Sequence, residues 1–303
     1  MAVCDRLRTA DAGKWKNLAK HAIADFVAPD ALADWLAWHE DEVEAIVHMG
    51  AISSTTEPDA DKIVHANFTL SRDLWDWAAA HGTRLIYASS AATYGDGEAG
   101  FRDADDLASL AALRPLNAYA WSKTLFDLYA RRAADRGRHP PQWAGLKFFN
   151  VYGPNEWHKG SMMSVAAQKW PQIARGERIQ LFKSYRDEIP DGGQRRDFVY
   201  VRDAVEVVAW LLAHPAVNGL YNLGSGQARS FQELAEALFR AAGRQPCVDY
   251  VAMPEGLRDR YQYFTQADMG RLLAAGYDKP LTSLEDGIAD YVGRHLSQPD
   301  PYR

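Results

Sequence analysis

The chain has 303 residues, 47% of them hydrophobic and 24% charged, with a formal net charge of −6. That is enough for one large domain or two lobes, and the acidic balance argues against nucleic acid or an anionic membrane surface as a partner. No apolar run approaches the ~20 residues of a membrane span, the opening MAVCDRLRTADAGKWK lacks the apolar core of a secretory signal, and Cys4 and Cys247 are too far apart in sequence to suggest a disulfide framework or a metal cluster. A cytoplasmic protein without a metal is the expectation.

In chain order, EAIVHMGA (44–51) reads as a buried strand running to Gly50. KIVHANFTLSRDLWDWAAAHG (62–82) spaces its apolar residues as a helix does and closes on Gly82, a plausible cap. RLIYASS (84–90) is a strand, and NAYAWSKTLFDLYARRAADRG (117–137) a helix with another terminal Gly. AGLKFFNVYG (144–153) is a strand running into a turn. Strands and helices alternating at this spacing predict right-handed βαβ units and a mainly parallel sheet. Beyond residue 153 the regularity breaks. KSYRDEIPDGGQ (183–194) reads as a loop, VRDAVEVVAWLLAH (201–214) as a helix and GLYNLGSG (219–226) as a strand and turn. SFQELAEALFRAAG opens on Ser230 with Glu233 three residues on, a capping box. A last helix is expected over 283–296.

In a doubly wound sheet, ligands sit beyond the carboxyl ends of the strands. The polar residues there are the turn GAISS (50–54), Ser89, Ser90 and Asn150, which should converge on one crevice. Tyr119 and Lys123, in YAWSK, lie one helical turn apart and can face it. A Tyr with a pKa of ~10 is a poor base, but a neighbouring ammonium favours its phenolate. Such a pair can take the hydroxyl proton of an alcohol that gives up hydride. Taken alone, the spacing equally describes an ordinary pair on a helix surface.

The surroundings narrow this. YASSAATYG (87–95), YAWSK (119–123), FFNVYGP (148–154) and RDFVYVRD (196–203) stand in the order and spacing of extended short-chain dehydrogenase/reductase proteins acting on nucleotide sugars. The chain resembles that family from about residue 3 to 296. GAISSTTE (50–57), HKGSM (158–162) and RYQYFTQAD (260–268) resemble its heptose-epimerase branch.

The resemblance implies an α/β fold: a Rossmann-like doubly wound parallel sheet with a smaller α/β substrate-binding lobe. The NADP-binding domain would span 1–153, and 154–303 would be mainly the substrate lobe, with about 196–225 returning to the sheet. It implies an isomerase that oxidises C6″ of a nucleotide sugar to a ketone and returns hydride to the opposite face. Ser90, Tyr119 and Lys123 match the catalytic Ser, Tyr and Lys. Lys159 matches a second acid/base, where a solvated loop lysine is the plainer reading. Met49, Gly50, Ala51, Ile52, Ser53, Asn67, Lys123, Val151 and Lys159 would contact the cofactor. Asp5 suits a ribose hydroxyl and so NAD, while Arg6 and Lys14 suit the 2′-phosphate of NADP. Lys14 matches the family's phosphate-binding lysine, so NADP leads.

Ser90, Asn150, Ser161, Gln168, Phe182, Lys183, Ser184, Arg196 and Tyr261 would bind substrate, with Arg196 suited to a diphosphate through its planar fork. Gln168 stands where the family carries His. Ser90 is followed by Ala91, Ala92 and Thr93, not by the acidic pair of the dehydratases. A homo-oligomer, a homopentamer in the family, is implied. Met1 falls inside what resembles the family's second strand, so the first strand and Gly-rich turn are not in this sequence. A 5′-truncated reading of a longer gene is therefore expected.

Overall fold

The computed structural model describes residues 1–7, 13–258 and 261–302 of the chain. Its strands are β1 (Ala2–Cys4), β2 (Asp25–Val27), β3 (Ala45–His48), β4 (Arg84–Ser90), β5 (Trp143–Phe148), β6 (Asn150–Tyr152), β7 (Ile179–Phe182), β8 (Arg195–Tyr200), β9 (Gly219–Leu223), β10 (Ala228–Ser230) and β11 (Val248–Val251). Its helices are α1 (Leu32–Trp38), α2 (Ala60–Ile63), α3 (Leu70–His81), α4 (Leu107–Ala112), α5 (Ala118–Asp135), α6 (Val165–Arg175), α7 (Val201–Ala213), α8 (Phe231–Ala241), α9 (Glu255–Arg258), α10 (Gly270–Ala274) and α11 (Leu284–Tyr291).

β3, β4, β5 and β9 make one parallel sheet in that order. Side chains alternate across it, as the strand period of two requires. Leu85 and Tyr87 of β4 pack with Trp75 and Ala78 of α3 and with Phe126 and Ala130 of α5. Ile86, between them, packs with Val207 and Leu211 of α7 on the other face. Helices thus cover both faces, the doubly wound arrangement expected from the alternation. Gly145 of β5 is required by a close approach: a Cβ there would lie 2.5 Å from both the Tyr87 ring and Leu220.

α2 and α3 form one run with wider turns over Val64–Thr69, ended by Gly82 at φ 65°. The capping box forms, with Ser230 Oγ accepting from Glu233 N at 3.0 Å and Glu233 Oε2 from Ser230 N at 2.7 Å.

Two boundaries differ from expectation. The stretch 144–153 is two strands, because the chain leaves the main sheet after Phe148 and β6 pairs with β8 instead. Of the stretch 196–225, β9 joins the main sheet, whereas β8 lies between β6 and β10 in a separate three-stranded sheet. β7 and β11 form a further parallel pair. A second core of α6, α8 and α11 residues packs against β6, β7 and β8. β1 and β2 pair in parallel apart from the main sheet, and residues of β1 and β3 line opposite parts of one cavity.

Candidate active site

That cavity has a volume of about 2060 Å³. A drug-sized ligand needs roughly 300–1,000 Å³; this cavity is larger because it also runs along β3 past Val43, Ile46 and Val47 to Arg84 and Leu212. Asp5, Arg6, Lys14, Met49, Gly50, Ala51, Ile52, Ser53, Ser89, Tyr119, Lys123, Val151 and Lys159 all line it. These are turn and helix-start residues at the carboxyl ends of β1, β3, β4 and β6, plus the loop that carries Lys159.

α5 presents Tyr119 and Lys123. Asn117 caps it, its Oδ1 accepting from Ala120 N at 2.9 Å, which fixes where the first turn begins. Tyr119 and Lys123 then point toward β4. Lys123 is 4% exposed, and its Nζ donates to the Ala88 carbonyl at 2.8 Å. Burial pushes its pKa down to about 8, while the Asp127 carboxylate pulls it up. Burial pushes the Tyr119 hydroxyl up, a hydrogen bond with Ser90 works the other way, and Asp127 raises it further. Ser90 sits in extended backbone at the end of β4, its Oγ accepting from Ala92 N at 3.1 Å. The Tyr, its Ser partner and the buried Lys are therefore assembled within one helical turn and one strand end.

Lys159 is exposed on a 3₁₀ turn, Trp157–Met162, whose Gly160 has φ 54° and ψ −123°. Gln168 holds this turn: its Nε2 donates to the carbonyls of Ser161 (3.1 Å) and Met163 (2.7 Å). Asn17 reaches the same turn from the far side of the sequence, 3.1 Å from His158 Nδ1 and donating to the Asn155 carbonyl at 3.2 Å. Asp5 accepts from Lys14 Nζ at 2.7 Å, and Arg6 pairs with Asp30 at 2.6 Å. Two ion pairs, Lys14 with Asp5 and Arg6 with Asp30, thus stand at the cavity wall beyond β1.

Asn67 stands behind the 50–54 turn. Its side chain has no exposed surface and is fully engaged, accepting from Ile52 N and donating to Ile52 O and Ser122 Oγ. It holds the 50–54 turn and does not present itself to a ligand. Gln168, by the bonds above, likewise supports the Lys159 turn.

The other predicted substrate residues lie outside the cavity wall. Arg196 is 9% exposed, with its guanidinium 5.1 Å from the Tyr261 ring centre and 5.7 Å from that of Phe231. Phe182 meets Tyr261 edge-on at 6.4 Å. Arg196 is therefore not a surface residue paired with its neighbour. Asp197 is buried on its own set of donors from Ser225, Gly226 and Ala267. Burial lowers the Arg196 pKa. Ser184 turns the adjoining loop, its N donating to Asp191 Oδ1 at 2.7 Å. Lys183 is exposed beside it, as is Asn150 at the start of β6, and Ser161 is exposed on the Lys159 turn. Gln262 ties the Tyr261 segment to the turn after Ser90 through the Gly95 carbonyl, 2.8 Å away.

Residues 2–224 match the family described as NAD dependent epimerase/dehydratase family. The chain belongs to that family. Over 305 aligned residues it is 48% identical to the ADP-L-glycero-D-manno-heptose-6-epimerase of Nitratidesulfovibrio vulgaris strain Hildenborough, covering all of this chain and 92% of that one. Among solved structures it resembles the enzyme of the same name from Helicobacter pylori, with a TM-score of 0.75 and 27% identity over 96% of this chain and 86% of that one. It also resembles the UDP-glucose 4-epimerase of Thermus thermophilus, solved in complex with NAD, with a TM-score of 0.72 and 25% identity over 98% and 91% of the two chains. A nicotinamide cofactor goes with membership of this epimerase family. Among the described residues no helix is long and apolar enough to cross a membrane.

Several residues that build the site are not legible in the motifs. Glu156 is buried and accepts from Ser164 N and Oγ, both at 2.6 Å, and from the Tyr291 hydroxyl at 2.9 Å, fixing the chain just before the Lys159 turn. Asp127 and Lys147 form an ion pair at 2.8 Å beneath the Tyr119 helix. An Asp on a helix and a Lys in a strand carry no local mark of burial.

Proposed function

We propose that this epimerase inverts C6″ of ADP-D-glycero-β-D-manno-heptose to give ADP-L-glycero-β-D-manno-heptose, a step toward the lipopolysaccharide core. The observation that carries the reading is that Tyr119, Lys123 and Lys159 line one cavity, in a chain 48% identical along its whole length to a relative of that name.

The residues present would serve the ends of a nicotinamide dinucleotide, while the Gly-rich turn that holds the pyrophosphate in this fold is not among them. Lys14 and Arg6 would hold its 2′-phosphate, Asp5 a ribose hydroxyl, and the 49–53 turn its central part, with Lys123 on the nicotinamide ribose. When bound, it takes hydride from C6″ and gives it back. The protein's share is proton transfer and orientation. Tyr119, as phenolate, removes the hydroxyl proton of one epimer, helped by the Lys123 ammonium that stabilises the anion. Ser90 donates to the same oxygen. The 6″-ketone then turns about its bond to the ring and presents its opposite face. Lys159, on the other wall, protonates the oxygen that returns there. In the reverse direction the two swap roles. Arg196, buried and stacked, would take the diphosphate by charge-assisted bonds, with Phe182, Lys183, Ser184 and Tyr261 around it and Asn150 and Ser161 on the sugar.

NADP is the preferred cofactor in this reading, because Lys14 matches the family's phosphate-binding lysine, although Lys14 and Arg6 are paired here with Asp5 and Asp30. The protein is further read as a cytoplasmic homo-oligomer, which light scattering would measure. The test of function is to incubate the protein with NADP and either C6″ epimer and follow the stereocentre by NMR. Interconversion is expected, and Tyr119→Phe should slow it about 10²–10⁴-fold. Inversion at C4″ of a UDP-sugar, with none at C6″ of the heptose, would refute the reading.

A further inference from the structure

α5 sends two charges inward. Lys123 reaches the cavity, and one turn later Asp127 enters the core, where it has no exposed surface. Asp127 Oδ2 accepts from Ser89 Oγ at 2.7 Å and from Lys147 Nζ at 2.8 Å, and its Oδ1 accepts from the Tyr87 hydroxyl at 3.2 Å. Lys147 is equally buried; it also donates to Thr93 Oγ1 at 2.8 Å and lies 5.2 Å from the centre of the Tyr94 ring. An apolar pair of like volume would usually be at least as stable in such a place, so stability alone does not account for these two ions.

Their position does. Lys123 Nζ donates to the carbonyl of Ala88, the residue between Tyr87 and Ser89, which are Asp127's two hydroxyl partners. The same three residues of β4 therefore hold both the ammonium and the carboxylate. Gly145 leaves the room in which the Tyr87 ring sits.

We propose that the buried Asp127–Lys147 pair is a positioning device for Lys123: the Asp127 carboxylate keeps the Lys123 ammonium charged beside Tyr119, and Lys147 anchors that carboxylate to β5. Its part in the reaction rests on the reading of Tyr119 and Lys123 given above. Asp127 from the same helix and His48 from β3 interact with Lys123, and Tyr87 from β4 and Lys147 from β5 meet it through Asp127; Tyr119 stands one turn before it on α5. His48 is held neutral by its burial and then by the Lys123 charge. That leaves Asp127 as the anion acting on Lys123, against the desolvation that would strip its proton.

The test reads Lys123 directly. In protein labelled with ¹³C at lysine Cε, the Lys123 signal is assigned by its loss in Lys123→Met. Its titration midpoint is then compared in wild type, Lys147→Met and Asp127→Asn/Lys147→Met. The last two differ by one carboxylate, with Lys147 absent from both. The midpoint is expected at least about one pH unit lower in the double variant, with the alkaline limb of the epimerisation pH–rate profile moving down alongside. Asp127→Glu, which keeps the charge, should retain the wild-type midpoint. If Lys147→Met does not fold, the electrically neutral double variant is set against wild type, and a smaller downward shift is expected, because loss of the Lys147 cation partly offsets loss of the carboxylate. Equal midpoints overturn the proposal. A shifted midpoint in a protein that shows no epimerisation would overturn the functional reading and leave the effect of Asp127 standing.

Discussion

At the scale of single residues, burial decides which groups carry charge. His48 ends β3 with its Nε2 2.9 Å from Ser71 Oγ, and burial, aided by the Lys123 charge, holds its pKa near 3. The unfolded imidazole takes up a proton near pH 6.5, and the folded one resists until about 3. The stabilising effect is therefore complete above pH 6.5 and is lost as pH falls through that window. Chemical denaturation between pH 7.5 and 4.5 should show wild type losing stability faster than His48→Gln, by up to about 1.4 kcal/mol per pH unit. Equal slopes would mean that His48 is freely solvated. His48 is thus a packed strand residue, held by its Ser71 contact. Arg196 was harder to read, because an Arg next to an Asp looks like a surface pair until the strand's neighbours are known.

At the scale of elements, helix ends were legible where a cap residue is local. Ser230 with Glu233 and the terminal Gly82 announce themselves within a few residues. Helix faces were not, as Gly287 illustrates. Nothing in LEDGIADY says that α11 lies so close to β6 that a Cβ at position 287 would fall 2.0 Å from the Tyr152 hydroxyl. Gly287→Ala must displace either the buried Tyr152 ring or the helix itself. A loss of about 1–3 kcal/mol or more is expected, read as a lower urea midpoint with an unchanged m-value. A midpoint equal to wild type would mean that Tyr152 yields freely.

At the scale of the whole molecule, the large cavity links folding to ligand. A dinucleotide at 100 times its dissociation constant should stabilise the folded state by about 2.7 kcal/mol. Thermal unfolding with NADP or NAD, at equal concentrations, therefore reports cofactor choice without an assay of turnover. NADP is expected to raise the midpoint more, and Lys14→Ala should remove the difference. A larger rise with NAD would place Asp5 ahead of Lys14 and Arg6 in setting the preference.

The alternation of strand and helix and the Tyr119–Lys123 spacing could be read from the chain, because each depends on residues a few positions apart; of the polar residues expected at one crevice, the 50–54 turn and Ser89 line the cavity and Ser90 and Asn150 do not. The motif blocks then sufficed to recognise an epimerase. The departure of β6 from the main sheet, the removal of Asn67 from the cavity wall and the ion pair of Asp127 with Lys147 could not. Each depends on partners brought together from 15 to 48 positions away in sequence, as in Ile52 with Asn67, Asp127 with Lys147 and Asn150 with Phe198. Burial and the pairing of a polar group are properties of the packed interior, and only the folded chain decides which carboxylate lies beneath Lys123.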